Sequence, residues 1–447
     1  MRLFLTLAIY QLVLPLLFLA AFPGWIVKMI RRGGFGTRLG ERLGLYTRSA
    51  DYEPNGAVHF HAVSVGESML ALKLIREWQR HAPERRFVLA TGTATGHAVA
   101  TGAGIPNLRV TYSPLDFKWM VRAYLARFEP AQIVLIEGEA WPHLLLACRD
   151  RRLPVSLVNA RMSPRSARRY RKFATWLRPI YGTLDAVAIQ EAADSQIWQD
   201  LGVAPDRIHD TGSLKFDPGS GGRPARLPEF QQMLDLMGNS RPVVLAASTH
   251  PGEELIIAAA IREAVPAALP VIVPRHAERR GEVKAALERA GFEVILRSAP
   301  AAPRDPDRAC FVIDSTGELR DWTAHADAVV IGKSFLSTGG QNPTEAILAA
   351  KPVIFGPHME NFQPLAKHLL TVGGALCAPI PSDLSAAIRI ALDPDHAAEM
   401  TRAAADSLAR HDGATRRILA LLTGENPAYF DASGVCHFQN QSLESRP

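Results

Sequence analysis

A chain of 447 residues, 47% hydrophobic and 21% charged, is long enough for two or three domains and apolar enough to bury large cores. That composition excludes a disordered, fibrous or disulfide-stapled protein, and a single long apolar stretch excludes a polytopic membrane protein. The net charge of +6 is unevenly spread: residues 26–42 hold five basic side chains against Glu41, and residues 161–178 hold seven with no acid. Such patches point to anionic surfaces or ligands; no zinc-finger spacing or RNP-like aromatic motif accompanies them, so nucleic acid is not expected.

In chain order, Leu3 to Val27 comes first: 25 residues without a charge, bounded by Arg2 and Lys28. A helix rising ~1.5 Å per residue over that length covers the ~30 Å hydrocarbon layer with some tilt. Pro15 and Pro23 kink such a helix without abolishing it. Lys28, Arg31 and Arg32 crowd its C-terminal flank, which places the bulk of the chain in the cytoplasm. A signal peptide cut near Ala20–Ala21 is the alternative, but the apolar run is too long and Pro23 sits badly beside such a cut. Residues 1–30 are expected to be a single-pass membrane anchor.

Short β-rich runs then recur at Ala57–His61, Arg86–Thr91, Arg109–Tyr112, Ile133–Ile136, Val155–Val158 and Ala186–Ile189. Helical stretches separate several of them; after Gly66, Leu70, Leu74, Ile75 and Trp78 fall on one helical face. A second set follows at Val243–Ala247, Val271–Val273, Glu293–Leu296, Phe311–Ile313, Ala328–Ile331 and Val353–Phe355. This alternation predicts α/β architecture with parallel sheets. Pro218-Gly219-Ser220-Gly221-Gly222-Arg223-Pro224 has linker composition. Two Rossmann-like domains are therefore expected over 31–216 and 231–425, joined by a linker at 217–230 and followed by a polar tail at 426–447. Cys148, Cys310, Cys377 and Cys436 are isolated and fit a reducing compartment.

In open α/β sheets ligands bind at the carboxyl ends of the strands, so the residues just after each strand are the candidates. Glu67 opens a helix after the first strand and suits a general base, or simply complements the helix dipole. Glu137 and Glu139 follow the run 133–136, where desolvated acids need a reason beyond packing. Lys215 closes the first domain. In the second, Ser248–Glu253, Pro274-Arg275-His276, Asp314–Leu319 and Gly339–Glu345 follow successive strands. A Gly-rich turn into a helix suits a phosphate, Arg275 adds a charged fork, and Glu345 is placed to accept from a ribose hydroxyl. Together these turns predict a nucleotide site. Gly34-Phe35-Gly36-Thr37-Arg38-Leu39-Gly40 has the wrong spacing and context for a dinucleotide fingerprint, there is no Walker A string, and no histidine pattern predicts a protein-held metal.

The combination resembles a family. Arg38-Leu39-Gly40-Glu41-Arg42-Leu43-Gly44-Leu45-Tyr46, His61–Glu67, Glu137–Pro142, Asn159-Ala160-Arg161-Met162-Ser163, Gly212–Asp217, Ser248–Glu253, Pro274–His276, Gly317-Glu318-Leu319 and Gly339–Glu345 stand in an order similar to the Kdo (3-deoxy-D-manno-octulosonate) transferases of lipopolysaccharide synthesis. The resemblance covers about residues 1–425. It implies a GT-B fold, with an acceptor domain and a CMP-Kdo domain facing across a cleft, and an inverting transfer onto the lipid A precursor at the cytoplasmic face of the inner membrane, without a cofactor. By position it implies Glu67 as base, Glu137 and Lys215 as transition-state stabilisers, and Pro274, Arg275, Thr316, Gly317, Glu318, Asn342, Pro343, Thr344 and Glu345 as CMP-binding. The basic stretch 161–178 suits acceptor phosphates or anionic lipids. The sequence departs from the family pattern at Lys333, where a second glycine is usual, and at Gln341 for His, Thr344 for Leu, His143 for Asn, and Gly138 and Ala140 for Thr and Leu. A GT-B transferase with another nucleotide-sugar donor, and a membrane-anchored nucleotide-binding module without chemistry, are the rival readings.

Overall fold

A computed structural model describes residues 2–31, 39–46, 56–138, 140–217, 224–238 and 241–426. Glu139, Gly34–Arg38, the glycine-rich centre of the linker and the tail from residue 427 lie outside the described residues. The chain divides into two compact units, one built from Met1–Gly219 with Gly413–Pro447 and the other from Ser220–Asp412.

The first unit holds seven parallel strands: β1 (Val58–Ala62), β2 (Phe87–Thr91), β3 (Leu108–Tyr112), β4 (Gln132–Ile136), β5 (Val155–Ala160), β6 (Ala186–Ile189) and β7 (Ile208–Asp210). Their spatial order is β3-β2-β1-β4-β5-β6-β7. The second unit repeats the plan with β8 (Val243–Thr249), β9 (Leu269–Pro274), β10 (Glu293–Leu296), β11 (Ala309–Val312), β12 (Ala328–Ile331), β13 (Val353–Phe355) and β14 (Leu376–Cys377), ordered β10-β11-β9-β8-β12-β13-β14. Central strands such as Ile133–Ile136 and Val244–Ala246 read as unbroken apolar runs because both sheet faces are buried. Each such side chain contributes about 1.5–3 kcal/mol when taken out of water. The expected α/β class is borne out; the short edge strands β7 and β14 had not been expected.

The order of strands fixes where ligands go. In each unit the chain first fills one side of its first strand, with β11 inserted between β9 and the edge strand β10 in the second, and then crosses to the other side. Direction reverses between β1 and β4 in the first unit and between β8 and β12 in the second. Loops leaving adjacent strands at such a point turn to opposite faces and leave a crevice at the carboxyl ends.

One boundary needs correction. The sequence places residues 231–425 in the second domain, but helix Ala414–Thr423 packs on the first unit, with Ile418, Leu419 and Leu422 buried among Val58, Phe60, Leu72 and Ile75. Asp217 takes hydrogen bonds from the backbone N–H groups of Gly413 at 3.1 Å and Thr415 at 2.7 Å. A chain that doubles back carries no compositional mark at the return. The linker is also shorter than 217–230, because Asp217 is buried in the first unit and helix Pro228–Leu236 starts inside the expected range.

The N-terminal helix runs Arg2–Arg31, and its stretch Leu3–Gly24 has a mean hydropathy of 2.3 with none of it buried. One face nevertheless touches the first unit: Tyr10 donates to Asp116 Oδ2 at 2.9 Å, and the Phe18 ring meets Phe117 edge-on. The outer face, including Phe4, Leu12, Leu16 and Leu19, is exposed. Its length and apolar surface are compatible with a membrane anchor.

Candidate active site

At the crevice of the first sheet, Ser64 caps helix Val65–His81 and accepts the Glu67 N–H at 3.2 Å. Glu67 reaches back: Oε2 accepts from the Val63 N–H and Oε1 from the Ser64 hydroxyl, both at 2.8 Å. This is a variant of the capping box, in which the glutamate reaches the N–H one residue before the cap. It leaves the half-buried carboxylate in one orientation with lone pairs to spare. Across the crevice Glu137 follows β4 with φ +63°, a left-handed conformation that side-chain-bearing residues seldom adopt. Its N–H donates to the Val158 carbonyl at 3.0 Å, which holds the turn.

Burial is the main cause that pushes the Glu137 carboxyl above the usual carboxylate range; Glu67 adds to the rise, while Arg161 and Lys215 oppose it. Lys215 lies below the usual lysine range, chiefly through burial, with Arg161 adding and Glu137 opposing. Glu67, Glu137 and Lys215 thus form one electrostatic group, together with Arg161. Asn159, fully buried at the end of β5, connects the parts: Oδ1 accepts from the Leu214 N–H at 2.9 Å and Nδ2 donates to Glu137 Oε1 at 3.5 Å. Sequence reasoning had Asn159 only as part of a motif and Arg161 as part of that motif and of the basic stretch 161–178. Their place on a strand end beside the crevice was the available signal.

The folded protein holds the Glu137 proton more tightly than the unfolded chain, so ionised Glu137 costs stability above its raised pKa, and the cost fades as pH falls through it. Glu137→Gln should therefore raise the melting temperature in alkaline buffer by ~2 °C and lose that gain on acidification, which thermal melts across pH will read.

In the second unit, Pro274 ends β9 and the exposed Arg275 follows, its N–H donating to the Thr249 carbonyl at 3.0 Å. Thr316 and Gly317 are exposed beyond β11. Glu318 is already engaged: it takes a two-pronged ion pair from Arg297 at 2.9 and 2.8 Å and further bonds from Ser315 and Trp322. Burial raises its pKa, but those donors outweigh it and hold the carboxyl below its usual range. The Gly339–Pro343 turn leads into helix Thr344–Leu348, which is only five residues long. The expected phosphate-binding helix is thus barely more than one turn, and Asn342 Oδ1 already accepts the Thr344 N–H at 3.1 Å. The Thr344 hydroxyl and Glu345 Oε2 are buried with no hydrogen-bond partner among the described residues. Burial pushes the Glu345 carboxyl up, while Arg320 and Arg275 pull it down.

A cavity of about 770 Å³ lined by Arg226, Arg241, His325 and Asp327 touches Val243 and Leu269, the first residues of β8 and β9. It lies at the wrong end of the sheet for a strand-end site. Cys148 and Cys310 are buried, and burial pushes each thiol up to about 12, so neither is a nucleophile. Among the described residues no three His, Cys, Asp or Glu side chains are grouped to hold a metal ion.

Residues 37–218 match the family profile described as 3-deoxy-D-manno-octulosonic-acid transferase (kdotransferase). The chain is 35% identical over 418 residues to the 3-deoxy-D-manno-octulosonic acid transferase of Bordetella pertussis, covering 89% of this chain and 94% of that one. It is 31% identical over 390 residues to the enzyme of the same name from Haemophilus influenzae, covering 86% and 90%. A glycosyltransferase structure from Rickettsia africae superposes with a TM-score of 0.50 at 11% identity, covering 83% of this chain and 99% of that one, a likeness of fold alone. The chain therefore belongs to the 3-deoxy-D-manno-octulosonic acid transferase family and has the GT-B glycosyltransferase fold.

Proposed function

We propose that this protein moves Kdo from CMP-Kdo to a hydroxyl of the lipid A precursor, with inversion at the sugar carbon. The observation that carries the reading is the group of Glu67, Glu137 and Lys215 at the crevice of the first sheet. Glu67, oriented by two hydrogen bonds, takes the proton of the acceptor hydroxyl as its oxygen attacks. The bond from the sugar carbon to the phosphate breaks, and CMP leaves with the electron pair. Glu137 and Lys215 stabilise the charge that develops in the transition state.

The donor half rests on the second unit. A buried hydroxyl at Thr344 and a buried carboxylate oxygen at Glu345, both unpartnered, fit the hydroxyl groups of a ribose. Arg275, exposed after β9 and acting electrostatically on Glu345, fits the single phosphate of CMP. Pro274, Thr316, Gly317, Glu318, Asn342 and Pro343 complete the proposed CMP contacts, with Glu318 acting through its backbone because its carboxylate is taken. The apolar helix Arg2–Arg31 is proposed to cross the inner membrane once, leaving both units on the cytoplasmic side. The basic helix Pro164–Lys172 then suits anionic lipid headgroups or acceptor phosphates.

Detergent-solubilised protein with CMP-Kdo and tetraacylated lipid A precursor should yield product heavier by one or more Kdo units in a mass spectrum. No mass gain with CMP binding intact would move the assignment to another donor or acceptor. Arg275→Ala should raise the KM for CMP-Kdo about tenfold with a smaller change in kcat, read by steady-state kinetics.

A further inference from the structure

The turn after β12 reads Gly332-Lys333-Ser334 and stands at the point where the second sheet reverses direction, against the end of β8. Lys333 has φ +56°. A left-handed lysine costs roughly 1 kcal/mol, and glycine at the same place would remove that cost. The conformation is over-determined by its surroundings. Glu253, fully buried, accepts the Lys333 N–H at 2.6 Å and the Phe335 N–H at 3.1 Å, and also the His250 N–H at 2.9 Å. The Lys333 carbonyl accepts from the Gly340 N–H at 3.0 Å, and a β-carbon on Gly332 would sit 2.5 Å from the Ser248 carbonyl oxygen. The turn is thus clamped between the β8 loop and the Gly339–Gly340 turn.

The side chain goes where the clamp sends it. Lys333 Cε lies 3.5 Å from where a β-carbon on Gly339 would be, beside the glycine turn that opens toward Asn342 and Glu345. Among the described residues its ammonium forms no ion pair. Left-handed backbone without glycine occurs at three other strand ends: Glu137 after β4, and Asn159 and Ser248 within the last residues of β5 and β8. Glu137 and Asn159 both belong to the charged group of the first unit.

We propose that Lys333 is a donor-binding residue, a fixed cation that meets an oxyanion of the nucleotide sugar, either its phosphate or the carboxylate of its sugar acid. The proposal rests on the CMP-Kdo reading and deepens it. A compact ammonium on a clamped backbone, within reach of backbone N–H groups in a glycine turn, binds such an oxyanion through charge-assisted hydrogen bonds.

Two variants separate charge from strain. Lys333→Ala removes the ammonium and keeps the left-handed strain; Lys333→Gly removes both. Titration calorimetry of the full chain in detergent, with CMP and with cytidine, is paired with the KM for CMP-Kdo. If the phosphate is the partner, both variants weaken CMP about ten- to a hundredfold and leave cytidine unchanged. If the carboxylate is the partner, CMP affinity is unchanged and the KM for CMP-Kdo rises by a similar factor. Lys333→Gly should also melt higher than Lys333→Ala, which shows that lost binding is not lost fold. Unchanged CMP affinity together with unchanged KM in both variants overturns the proposal. Failure of the wild type to bind CMP at all overturns the donor reading itself, and the role of Lys333 with it.

Discussion

Glu67→Gln should lower transfer by about 10²–10⁴-fold while leaving the melting temperature within about a degree of wild type. The two effects separate because Glu67 does two things. Its carboxylate closes the capping box, accepting from the Val63 N–H and the Ser64 hydroxyl. Glutamine at the third position of a helix closes the same box through its carbonyl oxygen. What glutamine lacks is a basic oxygen able to take a proton from a sugar hydroxyl. Glu67→Ala should lose the same activity and also about 0.5–1 kcal/mol of stability as the cap opens. Mass-spectrometric turnover and thermal melts on the three proteins decide the matter. Activity retained in Glu67→Gln would leave Glu67 a helix cap and send the search for the base elsewhere in the first unit.

Much of this was open to reading in the sequence, for physical reasons. Parallel strands are buried on both faces, so runs such as Ile133–Ile136 and Val353–Phe355 stand out as unbroken apolar stretches bounded by turn residues. The rule that ligands sit beyond strand ends then selected Glu67 and Glu137, the family resemblance added Lys215, and the fold brings all three into one electrostatic group. Other features follow from contacts distant in sequence, which periodicity does not encode. The return of helix Ala414–Thr423 to the first unit depends on Asp217 and on Ile418, Leu419 and Leu422, all ordinary in their local context. The engagement of Glu318 by Arg297 joins residues 21 positions apart on neighbouring loops. The capping box at Ser64 and Glu67 had a local signature, Ser-x-x-Glu, and was legible in principle. The strain at Glu137 and Lys333 had none, because neither residue type announces a positive φ.

The largest stability effect should come from Asp217→Ala, at about 3–5 kcal/mol in the first unit. Asp217 is buried, and its carboxylate accepts the Gly413 and Thr415 N–H groups and the Thr415 hydroxyl, at the very start of helix Ala414–Thr423. Lys73, half-buried, approaches the same carboxylate at 3.8 Å. Burial pulls the Lys73 pKa down and Asp217 is the first group opposing that fall, so removal of the carboxylate strands three donors and leaves the Lys73 ammonium on the Leu214 and Asp217 carbonyl oxygens without that counter-charge. Once the helix start is released, Ile418, Leu419 and Leu422 lose their seat against the β1 side of the sheet. At ~2–4 °C per kcal/mol for a unit of this size, the melting temperature should fall by roughly 6–20 °C. Hydrogen exchange should show amides of Ala414–Thr423 opening first. The functional consequence is also specific. Leu214 packs in the same core as Ile418 and Leu419 and precedes Lys215, so loosening this helix should displace Lys215 and depress transfer. CMP affinity, which the proposed reading assigns to the second unit, should stay at the wild-type value. Asp217→Asn keeps an acceptor for the helix start but loses the charge beside Lys73, and should fall between the two. A melting temperature unchanged in Asp217→Ala would show that apolar packing alone holds the returning helix.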